Sequence, residues 1–247
     1  VSTERLSPTA QRDLLEKVIA RCKNSDPKSP PPVIVFDLDG TLMDNRPRTI
    51  NIMHELADRW ASREPAISAK MKNTQVGDLA YLFTDSLTKI GISKPDLLTE
   101  GDAFWRERFF FDAHLVHDVA LPGAVSFARD LYEARATLLY LTGRDLPNMG
   151  LGTFRSLRDL GFPIGVAATE IILKPDAAMP DEAFKRELAP QLTRVGEVIA
   201  AFDNEPGNCN VFAEAYPKCT SVLVDTQFMP GPPPLLPQVV KIADFSR

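Results

Sequence analysis

The segment Val33-Ile-Val-Phe-Asp-Leu-Asp-Gly-Thr-Leu-Met43 limits what this chain can fold into more than any other stretch. Its first four residues are apolar and mostly β-branched, which reads as a short buried strand that stops at Asp37. Two carboxylates, Asp37 and Asp39, then stand two positions apart, followed by Gly40 and Thr41. In an open parallel sheet, that carboxyl end is where ligands are placed. Ending a buried strand in Asp-x-Asp is costly unless the charges have a use, such as holding a divalent cation or taking part in a reaction.

The pattern downstream fits the same architecture. Thr137-Leu-Leu-Tyr-Leu141 reads as a second buried strand, ending at Thr142-Gly-Arg144, and residues 170–173 as a third. Val198-Ile-Ala-Ala-Phe202 is a fourth, ending at Asp203, and Ser221-Val-Leu-Val224 a fifth. Helical segments are predicted over 124–134 and 153–160. Another opens at Pro180-Asp181, with proline first and acids in the first turn. Strands alternating with helices give an α/β fold, a Rossmann-like parallel sheet covered on both faces. Three strand ends then carry Asp37 and Asp39, Thr142, and Asp203 to one edge.

Between Asp44 and Leu121 the periodicity is helical instead. Ile50, Met53, Leu56, Ala57 and Trp60 share a face, as do Leu79, Leu82, Phe83, Leu87 and Ile90. Phe104-Trp-Arg-Glu-Arg-Phe-Phe-Phe111 is ambiguous between helix and strand, and Lys94-Pro-Asp96 reads as a turn. Residues 44–121 are thus a mostly helical insertion after the first strand, and residues 33–43 with 122–247 form the core. Residues 1–32 are an N-terminal helix (about 9–21, with Leu14, Leu15, Val18 and Ile19 on one face) and a proline-rich linker. That helix is expected to pack on the body of the domain. The tail, with Pro230-Gly-Pro-Pro-Pro234, is expected to run extended over the surface before the apolar run 239–242.

Bulk composition narrows the classes. The apolar share of 44% and charged share of 25% are those of a globular protein. A net charge of -5 argues against bulk attraction to nucleic acid. Cys22, Cys209 and Cys219 are odd in number and far apart, so neither a disulfide framework nor a zinc site is expected. His114 and His117 are three apart, with no further ligands to complete a metal site. No apolar run reaches membrane-spanning length and no signal-peptide pattern opens the chain, so a cytoplasmic protein is the expectation. The chain starts at Val1 rather than methionine, which leaves room for a removed upstream segment.

The string Asp37-Leu-Asp-Gly-Thr-Leu42 resembles the first motif of the haloacid dehalogenase superfamily, and the order of Asp37/Asp39, Thr142 and Asp203 matches that family in kind. The resemblance covers the chain from about Val33 to Val224. It implies that the insertion is a cap closing over the site, and that the protein is a Mg²⁺-dependent phosphatase of the capped type. Asp37 would be the nucleophile, forming an aspartyl-phosphate. Asp39 would protonate the leaving oxygen and then activate water, and its carbonyl would reach Mg²⁺. Thr142, with backbone around Leu38, Gly40, Thr41 and Gly143, would bind phosphate. Asp203 would join Asp37 on the metal. Asp39 favours phosphate chemistry, because the dehalogenase branch, whose halide leaves without a proton, lacks this second aspartate.

Two lysines compete for the family's motif position. Lys174-Pro resembles the motif of the common capped phosphatases. The stretch from Lys174 to Asp203 also resembles the polynucleotide 3′-phosphatase branch, whose motif lysine lies in the next helix, and there Lys185 takes the role. On that spacing Lys185 is favoured, with Lys174 a further phosphate or substrate contact. Asn204 departs from the family's usual second acid; its oxygen could hold a metal-bound water, with Glu205 supplying the missing charge. Arg144 could touch phosphate or form a structural salt bridge. Rival readings are a phosphomutase, a phosphonatase, and a catalytically weak binding or regulatory protein of the same fold. For the substrate, a large cap favours a small phosphorylated molecule, whereas the lysine spacing hints at a polynucleotide 3′-phosphate. The oligomeric state is not legible.

Overall fold

The computed structural model describes residues 4–247. Helix α1 (Pro8–Lys23) is capped by Ser7, whose hydroxyl accepts the Ala10 N–H at 3.3 Å. Strand β1 (Pro32–Phe36) follows the linker and is buried along its whole length. The chain leaves the core through the two-residue strand β2 (Met43–Asp44) and then builds α2 (Arg46–Trp60), α3 (Pro65–Asn73), α4 (Phe83–Lys89) and α5 (Pro95–Phe109). A 3₁₀ segment (Asp112–His117) leads into β3 (Val119–Ala120), which pairs antiparallel with β2. The two crossings between cap and core therefore lie side by side.

The core resumes with α6 (Ala124–Glu133), β4 (Thr137–Asp145), α7 (Leu146–Leu160), β5 (Thr169–Lys174) and α8 (Asp181–Leu188). After these come β6 (Glu197–Asp203), α9 (Pro206–Ala215), β7 (Thr220–Val224) and β8 (Val240–Ile242). The sheet runs β5-β4-β1-β6-β7-β8, with every pairing parallel. This is a Rossmann-like sheet with helices on both faces and a helical cap inserted after the first strand.

The period of two along the strands divides the core. Ile34, Phe36, Leu138, Tyr140, Ala200 and Phe202 face α1, α6 and α7, meeting Leu15, Val18, Phe127, Leu131 and Leu157. Val33, Val35, Leu139, Leu141, Val198 and Ala201 face the other way, onto Phe184, Leu192, Val211 and Phe212. Phe36 stacks on Phe202 at 5.2 Å between ring centroids and meets Phe127 edge-on at 6.2 Å. The N-terminal helix is part of this body, since Leu15, Val18 and Cys22 belong to the same buried cluster. The cap has its own core around Ile52, Met53, Leu56, Trp60, Phe83, Leu87 and Phe104.

Several elements differ from expectation. Lys94-Pro-Asp96 is not a turn but the start of α5, with proline in the first turn and Asp96 beside the helix N-terminus. The ambiguous 104–111 stretch is the end of that helix and the residues just after it. Helix α7 starts at Leu146 rather than Thr153, because Asp145 caps it by accepting the Asn148 N–H at 3.0 Å.

Gly123 makes the return from cap to core. It has φ 73°, and a Cβ there would lie 2.1 Å from the Phe245 carbonyl oxygen. Gly123→Ala combines left-handed backbone strain with a clash against main chain, so it should destabilise the fold by more than about 1 kcal/mol. Equilibrium urea unfolding checks this; an unchanged midpoint would contradict it.

Candidate active site

Strand register brings the polar residues together. β1 lies between β4 and β6, with Phe36 opposite Tyr140 on one side and Phe202 on the other. Asp37, Thr142 and Asp203 therefore emerge at neighbouring positions on the carboxyl edge, at the point where strand order reverses. The backbone after Asp37 turns tightly. The Leu38 carbonyl accepts N–H groups from Thr41, Leu42 and Met43 at 3.1, 3.0 and 2.9 Å, and the Gly40 N–H returns to Met43 O at 2.8 Å. Gly40 has φ 78°, and a Cβ there would lie 2.6 Å from the Asn204 amide nitrogen. The glycine of the motif is thus required both by backbone conformation and by close packing.

Lys185 is the lysine that reaches Asp37. From the last turn of α8, its ammonium donates to Asp37 Oδ1 at 2.7 Å and to Asp203 Oδ2 at 2.7 Å. All three side chains are buried. Asp203 is fixed from its other oxygen, which accepts the Glu205 N–H at 2.9 Å and the Asn208 amide at 3.1 Å. Burial pushes the Asp37 carboxyl above the usual aspartate range, Lys185 pulls it down, and the nearby Asp203 charge raises it again. Burial alone would lower Lys185, but Asp203 and Asp37 outweigh it and hold the ammonium protonated.

Lys174 is placed differently. Its Nζ donates to the Met179 carbonyl at 2.9 Å and lies 3.3 Å from Asp181. It lines the same cavity as Asp37, without an ion pair to it. Asp181 itself packs over the Thr142-Gly143 turn: a Cβ on Gly143 would lie 1.9 Å from its carboxylate. Thr142 is buried, and its hydroxyl accepts the Arg144 N–H at 3.2 Å.

Asp39 is held by a buried charge cluster that joins core to cap. Arg144 donates Nε to Asp39 Oδ2 at 2.7 Å and Nη2 to Oδ1 at 2.9 Å; Arg48, from the first turn of α2, adds a contact to Oδ1 at 2.6 Å. Both guanidinium groups also meet Asp118, just before β3. Arg48 does so in two-point fashion at 2.8 and 2.7 Å, and Arg144 at 2.8 Å. Of Arg144's two expected roles, the structure shows the salt bridge. Burial alone would raise Asp39, but Arg144 and Arg48 outweigh it and hold the carboxyl far below the usual range.

Two polar residues next to Asp203 are engaged elsewhere. The Asn204 amide donates to the Gln227 carbonyl at 2.6 Å and accepts the Thr41 hydroxyl at 3.3 Å, tying the Asp37 loop to the segment after β7. Glu205 accepts the Tyr81 hydroxyl at 3.1 Å and the Met229 N–H at 3.1 Å, bridging core and cap. Burial raises its carboxyl above the ordinary value. His114 pairs with Glu55 at 3.2 Å. Among the described residues, no group of three or more acids, histidines or cysteines is assembled for a metal. Among the same residues, no helix is long and apolar enough to cross a membrane.

The donor set nonetheless fits a hard dication. Asp37 and Asp203 bring two buried carboxyl groups to a single ammonium, and the Asp37 carboxyl, held above its usual range by burial and by the Asp203 charge, would be drawn down by a dication beside it. Carboxylate oxygens are the ligands Mg²⁺ takes.

No family model matches the sequence, and no curated protein matches it. The fold does resemble solved structures. It aligns with Protein Tyrosine Kinase A (PtkA) of Mycobacterium tuberculosis at 17% identity and TM-score 0.52, over 87% of this chain and 94% of that one. It aligns with a candidate phosphatase from Clostridium difficile at 15% identity and TM-score 0.52, over 79% of this chain and 86% of that one. At such identities the likeness is one of fold.

Four residues of the site escaped sequence reading: Arg48, Asp118, Asp181 and Tyr81. Arg48 and Asp118 are 70 positions apart and joined only through the cap. The cluster they form has two cations and two carboxylates, so removing one acid strands a buried guanidinium. Asp118→Ala should cost about 3–5 kcal/mol of stability, read by urea unfolding. A loss below about 1 kcal/mol would show that the cluster is not structural.

Proposed function

We propose that this protein is a Mg²⁺-dependent phosphohydrolase that cleaves a phosphate monoester through an aspartyl-phosphate on Asp37. The observation that carries this reading is the buried Asp37–Lys185–Asp203 triad on the carboxyl edge of the sheet, with both lysine contacts at 2.7 Å. Such a triad costs desolvation and is compensated only in part, which is reasonable for a site that takes up a cation and a phosphate. The fold shared with the structures named above agrees with it, and one of those is described as a phosphatase.

In this mechanism Asp37 attacks phosphorus, the P–O bond to the leaving group breaks, and the leaving oxygen takes a proton. Water then attacks phosphorus, gives up a proton to a base and frees Asp37 with inorganic phosphate. Lys185 orients Asp37 and draws its carboxyl down towards ionisation against the burial and the Asp203 charge that raise it. A bound cation would draw it down further, and the lysine charge opposes that of the incoming phosphate. Thr142 and the backbone at Leu38 and Gly143 line the phosphate position. A bound Mg²⁺ would be held by Asp37, Asp203 and the Asp39 carbonyl, and would neutralise phosphate charge.

Asp39, ionised and gripped by two arginines, is in the form that accepts a proton from water. Donating one to the leaving oxygen would first require it to give up an arginine contact and to take up a proton from solvent. Gly40, Thr41 and Asn204 act on this scheme by holding the Asp37 loop in shape.

Asp37→Asn should lower turnover of p-nitrophenyl phosphate by roughly a thousandfold or more while leaving the fold intact, because an amide is a poor nucleophile. Lys185→Ala should lower kcat by orders of magnitude, and Lys174→Ala should act mostly on KM. Near-normal turnover by Asp37→Asn would rule out the covalent route. Activity should also disappear with EDTA and return with Mg²⁺, and Asp203→Ala should raise the Mg²⁺ concentration required. Turnover indifferent to chelator would remove the metal from the scheme.

A further inference from the structure

The cavity that holds Asp37, Asp203 and Lys185 is far larger than a phosphate requires, about 1240 Å³. Its cap side is a wall of rings. Phe83 and Trp105 stack with centroids 5.9 Å apart and planes 10° apart, and Trp105 and Phe109 stack at 4.4 Å. Phe110 stands edge-on to Trp105 at 5.6 Å and to Phe109 at 5.1 Å. All four line the cavity, and Phe110 remains 40% exposed. Of the cap's other large rings, Trp60 and Phe104 are buried in its own core, Tyr81 lines the cavity, and Phe111 is exposed away from it. Leaving Phe110 half in solvent at the cavity is the expensive choice unless something covers it.

Charge on the same wall points in one direction. Every basic side chain among the described residues that lines the cavity already faces a carboxylate. Arg46 faces Asp44, Arg106 faces Asp102, Lys174 faces Asp181, Arg144 faces Asp39, and Lys185 faces Asp37 and Asp203. A polynucleotide or a bisphosphate needs free cations beyond the reacting phosphate to track its backbone or second anion. A single phosphate joined to an uncharged ring needs none. Edge-to-face and offset stacking on an existing aromatic ladder also selects flat π-systems over saturated groups of similar size.

We infer that the substrate is a monophosphate whose leaving group carries an uncharged aromatic ring, which packs on the Trp105–Phe109–Phe110 wall of the cap. This rests on the phosphatase reading above and adds the class of leaving group to it.

The test separates ring recognition from leaving-group reactivity. The purified protein with Mg²⁺ is assayed on 2-phenylethyl, 2-cyclohexylethyl and propyl phosphate, three primary alkyl esters with closely similar leaving oxygens. A 3′-phosphorylated oligonucleotide and p-nitrophenyl phosphate are run beside them. kcat/KM for the phenylethyl ester should exceed that for the propyl ester on the order of tenfold, and should exceed that for the cyclohexylethyl ester. Phe110→Ala, an exposed position that should not compromise folding, should bring the phenylethyl-to-propyl ratio towards one through KM. Phe111→Ala, also exposed but not lining the cavity, should leave the ratio unchanged.

A phenylethyl-to-propyl ratio near one, equal or better use of the cyclohexylethyl ester, or preference for the oligonucleotide would each overturn the inference while p-nitrophenyl phosphate turnover kept the phosphatase reading. If no ester, p-nitrophenyl phosphate included, is hydrolysed, the phosphatase reading fails instead. Calorimetric binding of 2-phenylethyl against propyl phosphate then decides the ring preference by itself, tighter binding of the former supporting it and equal binding overturning it.

Discussion

One ammonium serves two buried carboxylates, and the site is organised around that imbalance. Lys185 lies 2.7 Å from both Asp37 and Asp203, whose strands flank each other in the sheet, and all three side chains are withdrawn from water. A buried ion pair is a poor source of stability, because desolvation consumes most of its Coulomb energy. A triad with two acids to one base is poorer still. The core therefore has to supply the rigidity: β1 is buried on both faces, and Phe36, Phe127, Phe202 and Phe245 form a packed ring cluster directly beneath the Asp37 turn. In the proposed function, that excess of acid over base is what a cation would relieve.

A second buried charge set, electrically balanced, ties the cap to this centre. Arg48 and Asp118 come from the two ends of the cap excursion, Arg144 from the end of β4, and Asp39 from the loop that carries Asp37. Arg48 also lies over the face of Phe109, 4.2 Å from its centroid, and donates to the Phe109 carbonyl at 2.9 Å. The aromatic wall and the Asp39 carboxylate are thus fixed by the same side chain. Across the cleft, Tyr81 of the cap meets Glu205 of the core, and Gln227 donates to the Leu79 carbonyl at 3.1 Å. In this conformation the cap is held to the core on two sides of the cavity.

How far all this was legible depended on the range of the signal. Asp37, Thr142 and Asp203 could be read because each ends an apolar run, and the parallel topology then places strand ends together. Lys185 was readable through its distance from Asp203 along the chain. Helix α9 was not, because Pro206-Gly-Asn-Cys-Asn210 has poor helix formers and no amphipathic period; it is buried nearly all round, which erases the pattern. The roles of Asn204 and Glu205 followed from contacts to Gln227, Met229 and Tyr81, which no local pattern encodes. Nothing in the local sequence marks Arg48, near a helix start, and only the fold shows it fully buried between two acids.

The central claim is that Asp37 forms a covalent bond to phosphorus, and it can be read directly. The protein is mixed with a hydrolysable phosphate ester and Mg²⁺, quenched within one turnover, and reduced with borohydride, which converts an acyl phosphate to an alcohol while leaving free carboxylates alone. Peptide mass spectrometry then locates the reduced side chain. The account predicts homoserine at position 37 in the wild-type protein and its absence when ester is omitted. Phosphate release with position 37 unreduced under quench conditions that preserve acyl phosphates, or reduction at another carboxylate, would contradict it.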